Sequence, residues 1–272
     1  EVINPPRQLT DSTRADNLAA VPHFHDRRLL DELLNAHGIE PGAFNSEIGA
    51  ADRPLRDATP HGHGGHAGRA LRKYVESGLR LEAMLARVVA RVLGGYHSID
   101  RILVWCAGDA RLARTLVHRV APSQVWVADP DPHACAWQAS QLGVNALFAV
   151  TDPDRFGLPL DFSLVYAGSV PAGGTDAGYS RWIARLYRCV GEQGVLVLDA
   201  GAHGARREPL VRQCVADLFP WRPPDALRVP RGLAGEPDLL VVAGWGTSLR
   251  GLRAGVTSLD DFDALRVEAR AG

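Results

Sequence analysis

Short, almost wholly apolar segments alternate with amphipathic ones along most of this chain, which predicts an α/β fold. Continuous apolar runs of this length are typical of parallel strands that helices cover on both faces. The last two runs, near 225–229 and 238–243, are joined by a short glycine-rich link, which favours an antiparallel hairpin. We therefore predict a mostly parallel sheet of seven strands with an antiparallel edge hairpin, helices on both faces and an N-terminal helical cap.

The first seventy residues differ in character from the rest. A short helix is predicted from Asp26 to His37, because its leucines share one face and Gly38 provides a stop. Residues 39–68 are rich in Gly, Pro, Asp and His, which predicts a long loop. We therefore divide the chain into a cap, residues 1–69, and an α/β domain, residues 70–272.

A longer helix is predicted over 68–93, with apolar residues at three- and four-residue steps. Its apolar stripe shifts sideways at Gly78, which suggests a small bend there. The apolar face either covers the sheet or serves the interface of a homodimer. The remaining elements are predicted in this order: strand 102–106, helix 110–120, strand 124–128, helix 132–142, strand 146–150, strand 162–167, helix 177–190, strand 194–199, helix 207–218 and the two strands of the hairpin.

Composition excludes several classes of protein. The chain has 272 residues and a formal net charge of −1, so it has no overall basic field that would attract nucleic acid. No apolar run reaches the roughly eighteen residues that a membrane-spanning helix needs. The four cysteines are widely spaced without a C-x-x-C pair, which is typical of reduced core residues in a cytosolic protein. We predict a cytoplasmic protein without a nucleic-acid or membrane partner.

The segment Arg101-Ile-Leu-Val-Trp-Cys-Ala-Gly-Asp-Ala-Arg111 carries the main functional signal. It predicts a buried strand, a turn of small residues and the start of a helix, and the next strand ends at Asp129. A carboxylate about twenty residues past such a turn is placed to hold a ribose, and the N-terminus of the helix to hold an anion. The alternative for Asp129 is a turn residue before Pro130, and its position favours ribose binding. The pattern predicts a ligand that contains a nucleoside.

In order and spacing, residues 70–244 resemble the class I S-adenosylmethionine-dependent methyltransferases, in particular small bacterial enzymes that modify sugars and natural products. The turn above stands where that family has Asp-x-Gly-x-Gly-x-Gly, and Val127-Ala-Asp-Pro-Asp-Pro where it has its acidic ribose-binding residue. Phe162 to Ser169 resembles the fourth strand, and Tyr179 to Gly204 the following helix and fifth strand. The resemblance implies a Rossmann-like fold and transfer of a methyl group from S-adenosylmethionine to an O or N atom of a small metabolite.

The resemblance also implies a set of cofactor contacts. Gly108 and the start of the next helix would hold the methionine end, and Asp129 the ribose. Asp152 would lie on the adenine side, although a surface carboxylate is an equal alternative, and Asp131 is better explained as a helix N-cap. The implied cofactor-binding residues are Cys106, Gly108, Asp109, Asp129, Pro130, Asp152, Tyr166 and Ala167.

This chain departs from the family pattern in its turn. Val104 replaces the usual Asp, and Cys106 and Ala110 stand in place of the first and third glycines. Glycine permits the sharp bend and close approach of the cofactor there, and Asp109 would repel a cofactor carboxylate unless Arg111 screens it. These changes motivate a second hypothesis, a noncatalytic relative that acts as a binding or accessory partner. A nicotinamide-dependent oxidoreductase is a third and weaker one, because no G-x-G-x-x-G is present.

No single side chain stands out as a catalytic base; His203, Ser169 and Tyr179 are the candidates. Methyl transfer depends more on placement of the reactants than on acid–base help. Trp105 and Tyr166 are large residues near the predicted crevice, and core packing explains both more simply than stacking on adenine. His61, His63 and His66 suggest a metal, but a solvated Gly/His-rich loop without a metal is favoured because no carboxylate or cysteine completes a known spacing.

Overall fold

A computed structural model describes residues 27–46, 64–106, 110–148, 151–156, 158, 161–168, 170, 175–199, 204–221, 225–229 and 239–252. Six α-helices and seven strands lie in this part of the chain. The helices are α1 Arg27–Ala36, α2 Gly64–Leu93, α3 Ala113–Leu116, α4 Pro132–Leu142, α5 Asp176–Tyr187 and α6 Gly204–Leu218. The strands are β1 Ile102–Trp105, β2 Val125–Asp129, β3 Asn145–Phe148, β4 Phe162–Ala167, β5 Val190–Asp199, β6 Ala226–Val229 and β7 Leu239–Ala243.

The strands form one sheet in the order β3-β2-β1-β4-β5-β7-β6. Strands β1 to β5 are parallel, whereas β7 pairs antiparallel with both β5 and β6. The predicted seven-stranded, mostly parallel Rossmann-like sheet with an antiparallel edge is therefore confirmed. The chain runs outward from β1 to β3 and then returns to β4 on the other side of β1. This reversal of strand order places a crevice at the carboxyl ends of β1 and β4.

Alternate residues of the strands pack into two separate cores, one on each face of the sheet. The first core joins the strands to α2, α3 and the C-terminal end of α4, and includes Val104, Tyr166 and Val197. The second core joins them to α5 and α6, and includes Trp105 and Ala167. Because both faces are covered, β1 is apolar at every position and β4 at every position except Ser163, as the sequence indicated.

The apolar face of α2 is buried inside the chain. Leu81, Met84 and Leu85 pack against the sheet in the first core, and Val75 and Leu79 pack against α1. The sideways shift of the stripe at Gly78 thus corresponds to a change of packing partner. At Gly78 a Cβ would also collide with the carbonyl oxygen of Arg111, so the turn after β1 approaches the helix as closely as glycine allows.

Arginine side chains of the α/β fold donate hydrogen bonds to backbone carbonyl oxygens of the N-terminal segment and hold it in place. Arg119 donates to the carbonyl oxygen of His37 at 2.8 Å, and Arg114 donates to that of Asn45 at 2.9 Å. Leu30 and Leu34 of α1 share a cluster with residues of α2. The division at residue 69 falls inside α2, which begins at Gly64.

Two elements differ from the sequence prediction. The loop expected over 39–68 contains a 3₁₀ turn, Pro41–Ala43, and ends where α2 begins, so that His66 is a helical residue and not part of a loop. The helix expected over 110–120 was wrong in extent, since α3 has four residues with turns on both sides. Its carbonyl at Leu112 accepts from Thr115 Oγ1 at 2.7 Å as well as from two amides, a competition that disturbs a regular helix.

Among the described helices, none combines the length and the apolar character that crossing a bilayer requires.

Candidate functional site

The carboxyl ends of β1, β2, β4 and β5 bring polar and conformationally unusual residues to one edge of the sheet. Cys106 follows β1, Asp129 ends β2, Gly168 follows β4 and Asp199 ends β5. The strand order reverses between β1 and β4 at this same edge. Ligands of open α/β sheets lodge at such a position, so these four strand ends define the candidate site.

The turn after β1 adopts a backbone that glycine usually supplies. Cys106 has a φ of 48° and Ala110 a φ of 62°, both in the left-handed region. The family resemblance implies glycine at both positions, whereas this chain has residues with a Cβ there. A non-glycine residue there is strained by the contact of its Cβ with the backbone, and such strain concentrates at functional sites.

Asp129 is a buried carboxylate at the end of β2, with 8% of its surface exposed. Its Oδ1 accepts from the amide of Asp131 at 2.8 Å. The thiol of Cys135 donates to the carbonyl oxygens of Asp129 at 3.5 Å and of Leu147 at 3.2 Å, which ties α4 to the ends of β2 and β3. An ionised carboxylate has about four acceptor positions, and the amide of Asp131 occupies one of them.

The carboxylate of Asp129 affects the pKa of the Cys106 thiol. Burial, and secondarily the negative charge of Asp129, raise the pKa of the Cys106 thiol to about 12. The thiol is therefore neutral near pH 7 and adds no negative charge beside Asp129. A neutral thiol is a poor nucleophile, so covalent chemistry by Cys106 is not favoured.

Trp105, the last residue of β1, lies in the core and does not fill the crevice. It is fully buried, and its ring packs 4.5 Å from that of Phe156 and 4.7 Å from that of Trp182, measured between centroids. This aromatic cluster supports the strand ends from the face that α5 covers.

Tyr166 is buried on the opposite face of the sheet and reaches toward the crevice. A Cβ added to Gly168 would lie 3.3 Å from the hydroxyl oxygen of Tyr166, so the ring lies against the backbone just after β4. Burial raises the pKa of Tyr166 and the charge of Asp199 raises it further, whereas Arg111 lowers it. Ala167 points into the second core, so that only its backbone faces the strand end.

Tyr179 approaches the same edge from the first turn of α5. Thr175 caps this helix by accepting from the amide of Gly178 at 3.1 Å. The guanidinium carbon of Arg207, in α6, lies 4.7 Å from the centre of the Tyr179 ring. Burial raises the pKa of Tyr179, Arg207 opposes this, and Asp199 adds to it.

Two further carboxylates have structural roles. Asp131 accepts from the amide of His133 at 2.8 Å and caps α4, as predicted. Asp152 is exposed and accepts from the amide of Asp154 at 2.9 Å at the start of a 3₁₀ turn, Pro153–Arg155. Its predicted adenine contact stays a prediction. Pro130 is half-buried between the two aspartates.

The helix predicted to hold an anion at its N-terminus is shorter than expected, since α3 has four residues. The anion contact itself stays a prediction. Within the described residues, no group of three or more His, Cys, Asp or Glu could hold a metal ion. The other candidates of the sequence analysis, Gly108, Asp109, Ser169, His203, His61 and His63, lie outside the described residues.

Sequence reasoning did not assign Asp199 or Arg207 to the site, and it considered Arg111 only as a screen for Asp109. Asp199 had a usable signal, since it is the polar residue that ends an otherwise apolar strand next to β4. The two arginines had none, because their helices and turns place them at the crevice only through tertiary packing.

No protein-family model matches this sequence, and comparison with curated proteins likewise finds no match. Several solved structures are similar in fold. One is the amino pentose methyltransferase of calicheamicin biosynthesis from Micromonospora echinaspora, with S-adenosylmethionine bound: the identity is 15%, the TM-score is 0.49, and the match covers 64% of this chain and 95% of that one.

A second is the magnesium protoporphyrin IX methyltransferase from Synechocystis PCC 6803, also with S-adenosylmethionine bound, at 14% identity and a TM-score of 0.48; the match covers 83% of this chain and 99% of that one. A third is a sugar N-methyltransferase from Streptoalloteichus, at 14% identity and a TM-score of 0.46, covering 60% of this chain and 87% of that one. Similarity at this level carries no argument about function, which must come from the chain's own site.

Proposed function

We propose that this protein binds S-adenosylmethionine at the carboxyl ends of β1 and β2 and transfers its methyl group to an O or N atom of a small metabolite. The observation that carries the proposal is the buried carboxylate of Asp129, which lies beside the left-handed turn at Cys106 where the strand order reverses. A short carboxylate at a strand end suits the two hydroxyls of a ribose.

The residues of the crevice fit an adenosyl group in three respects. Asp129 offers hydrogen-bond acceptors, and the neutral thiol of Cys106 adds no second negative charge beside it. The positive φ at Cys106 and Ala110 turns the chain sharply away from the end of β1, as close approach of a ligand to the backbone requires. Tyr166 and Gly168 bound the crevice on the side of β4.

The chemistry that S-adenosylmethionine supplies is an activated methyl group, which the lone pair of the acceptor takes as the carbon–sulfur bond breaks, with the acceptor's proton passing to water. The protein's own part is placement. The ends of β1 and β2 fix the nucleoside, and the ends of β4 and β5 orient the acceptor. Orientation of two reactants alone accounts for a large part of such a rate enhancement.

Calorimetric titration with S-adenosylhomocysteine, the demethylated product, tests the proposal on the full chain. We expect micromolar affinity for the wild-type protein. Asp129→Ala should weaken binding by about 1–3 kcal/mol, because ribose hydroxyls lose a charged acceptor. Asp131→Ala is the matched control: it removes the cap of α4 and lowers stability, but should leave the affinity within about twofold, since the loss of a cap is a folding effect. Equal losses in the two variants would reject the ribose role of Asp129.

A noncatalytic binding or accessory protein is the second candidate. The observation in its favour is that Cys106 and Ala110 carry Cβ atoms at two positions of the turn where a cofactor would approach. Absence of S-adenosylhomocysteine binding by protein that still unfolds cooperatively would support this candidate and reject the enzyme.

A further inference from the structure

Two buried phenol hydroxyls at the crevice have no acceptor for their protons among the residues that the structure describes. Tyr166 and Tyr179 each expose only 3% of their surface. Neither hydroxyl makes a hydrogen bond of ordinary geometry, and the groups near enough to interact with them, the guanidinium groups of Arg111 and Arg207, are donors. Buried hydroxyls in folded proteins are nearly always bonded, so each such group calls for a physical explanation.

The two hydroxyls approach one edge of the sheet from its opposite faces. Tyr166 lies on the face that α2 covers, whereas Tyr179 comes from α5 on the other face. Because Ala167 pairs with Leu198, the next residues along the two strands, Gly168 and Asp199, end side by side. The charge of Asp199 raises the pKa of both tyrosines, which is consistent with its position between them.

The surroundings of the two hydroxyls are cationic. Arg111 lies close enough to the Tyr166 hydroxyl to lower its pKa, and Arg207 covers the ring of Tyr179 at 4.7 Å. Two guanidinium groups and one carboxylate, that of Asp199, therefore act on these hydroxyls. Burial raises the pKa of both phenols, so that they stay protonated and each keeps a proton to donate. Donors and positive charge together complement an anionic oxygen.

Tyr96 provides a contrast at the opposite edge of the sheet. Its hydroxyl also has no bond of ordinary geometry, but it faces the carboxylate of Glu82, which is paired with Arg119. That environment offers a ligand no free positive charge. The pair at Tyr166 and Tyr179 thus differs in having guanidinium groups that face the hydroxyls directly.

We propose that Tyr166 and Tyr179 donate their hydroxyls to the methyl acceptor, and that this acceptor is a small acid whose carboxylate or phosphate oxygens lie between Arg111 and Arg207. The inference rests on the proposed function for the identity of the ligand as a methyl acceptor. The anion site itself stands on the two tyrosines and the two arginines.

The first arm of the test measures stability without any ligand. Tyr166→Phe and Tyr179→Phe should unfold at the same temperature as the wild-type protein or a higher one, because each removes a buried hydroxyl whose proton has no acceptor among the described residues. Tyr187→Phe is the matched control: its hydroxyl donates to the carbonyl oxygen of Ala243 at 2.9 Å, so its loss should lower the unfolding temperature by several degrees. If either crevice variant loses as much as the control does, its hydroxyl has a structural partner and the proposal is overturned.

The second arm measures binding of small probes to the full chain. Benzoate and phenyl phosphate carry the two anionic groups, and benzamide is a neutral molecule of the same shape as benzoate. At least one of the anions should bind ten-fold more tightly than benzamide, and Tyr166→Phe, Tyr179→Phe and Arg207→Gln should each remove most of that preference. Which anion binds more tightly distinguishes a carboxylate from a phosphate acceptor. Equal binding of all three probes, or none, overturns the proposal.

Titration with S-adenosylhomocysteine separates this inference from the proposed function. Tyrosine-dependent binding of an anion without binding of the nucleoside would reject methyl transfer and retain the anion site. Binding of the nucleoside without any preference for an anion would reject the acceptor class and retain the enzyme.

Discussion

The two edges of the parallel strands differ in how their polar groups are used. At the amino edge several groups are bonded within the chain, although the hydroxyl of Tyr96 is an exception. The side chain of Gln124 donates to the carbonyl oxygen of Ile99 at 2.6 Å and accepts from the amide of Ala121 at 2.9 Å. Tyr187 donates to Ala243 at the same edge. Such closed pairings stabilise the fold and leave little capacity for a ligand.

The carboxyl edge has the opposite character. Cys106 and Ala110 hold left-handed backbone, and the hydroxyls of Tyr166 and Tyr179 have no acceptor for their protons among the described residues. Each of these features costs stability, and one region contains all four. Local departures from good packing and bonding are expected where a structure serves function. The amino edge therefore maintains the fold, whereas the carboxyl edge has the features that the proposed ligand site requires.

The largest expected effect is at the amino edge, where Arg119→Met would break a buried ion pair. Arg119 bonds the carboxylate of Glu82, whose side chain is 2% exposed, and also the carbonyl oxygen of His37. A buried carboxylate left without its partner costs about 3–5 kcal/mol. Urea unfolding at pH 7 measures the loss.

The control for this variant is Arg80→Met, which breaks the pair between Arg80 and Glu76 on the same helix. The side chains of Arg80 and Glu76 are 41% and 27% exposed, so the loss in the free energy of unfolding should stay below about 1 kcal/mol. Similar small losses in both variants would show that burial of Glu82 does not depend on Arg119, and the contrast between the edges would weaken.

Gly78→Ala should give an effect of intermediate size, and it tests the contact between α2 and the turn after β1. Alanine in place of glycine normally stabilises a helix by about 1 kcal/mol. Here the added Cβ meets the carbonyl oxygen of Arg111, so we expect a net loss of about 1–3 kcal/mol as the turn after β1 is displaced. Thermal unfolding measures the loss.

Gly42→Ala is the matched control, because a Cβ there meets no atom within 4 Å. It should leave stability within about 0.5 kcal/mol of the wild-type value. A stabilised Gly78→Ala protein would mean that the turn moves freely relative to α2, and that the turn is not held in place from this side.

The sequence predicted the strands and the sheet well because their signal is local. Val104, Val127 and Leu196 belong to apolar runs that only a doubly covered sheet explains. It also located the cap at Asp131, since capping depends on neighbouring residues alone. The strand ends that form the crevice followed from the predicted strand boundaries to within a residue or two.

The sequence could not predict the features that arise from long-range packing. The length of α3 depends on the left-handed residue Ala110, whose φ no local pattern reveals. Arg207 reaches Tyr179 only because α5 and α6 pack side by side. Tyr166 and Tyr187 look alike in sequence, both lying in apolar surroundings, and only the structure shows that one hydroxyl is bonded and the other is not.

The smallest effect is expected for Cys106→Gly, at the strained turn of the carboxyl edge. Glycine accepts a φ of 48° without steric cost, but it is more flexible in the unfolded chain and loses the packing of the thiol. The two losses offset only part of the relieved strain, so we expect a net gain of about 0.5–1 kcal/mol in the free energy of unfolding. Cys106→Ala is the control, because it keeps the Cβ and therefore the strain while removing the thiol. If the glycine variant is the more stable of the two and also binds S-adenosylhomocysteine more tightly, the Cβ of Cys106 restricts the crevice. If it is no more stable than the alanine variant, the turn is not strained, and the carboxyl edge loses one of the features that set it apart.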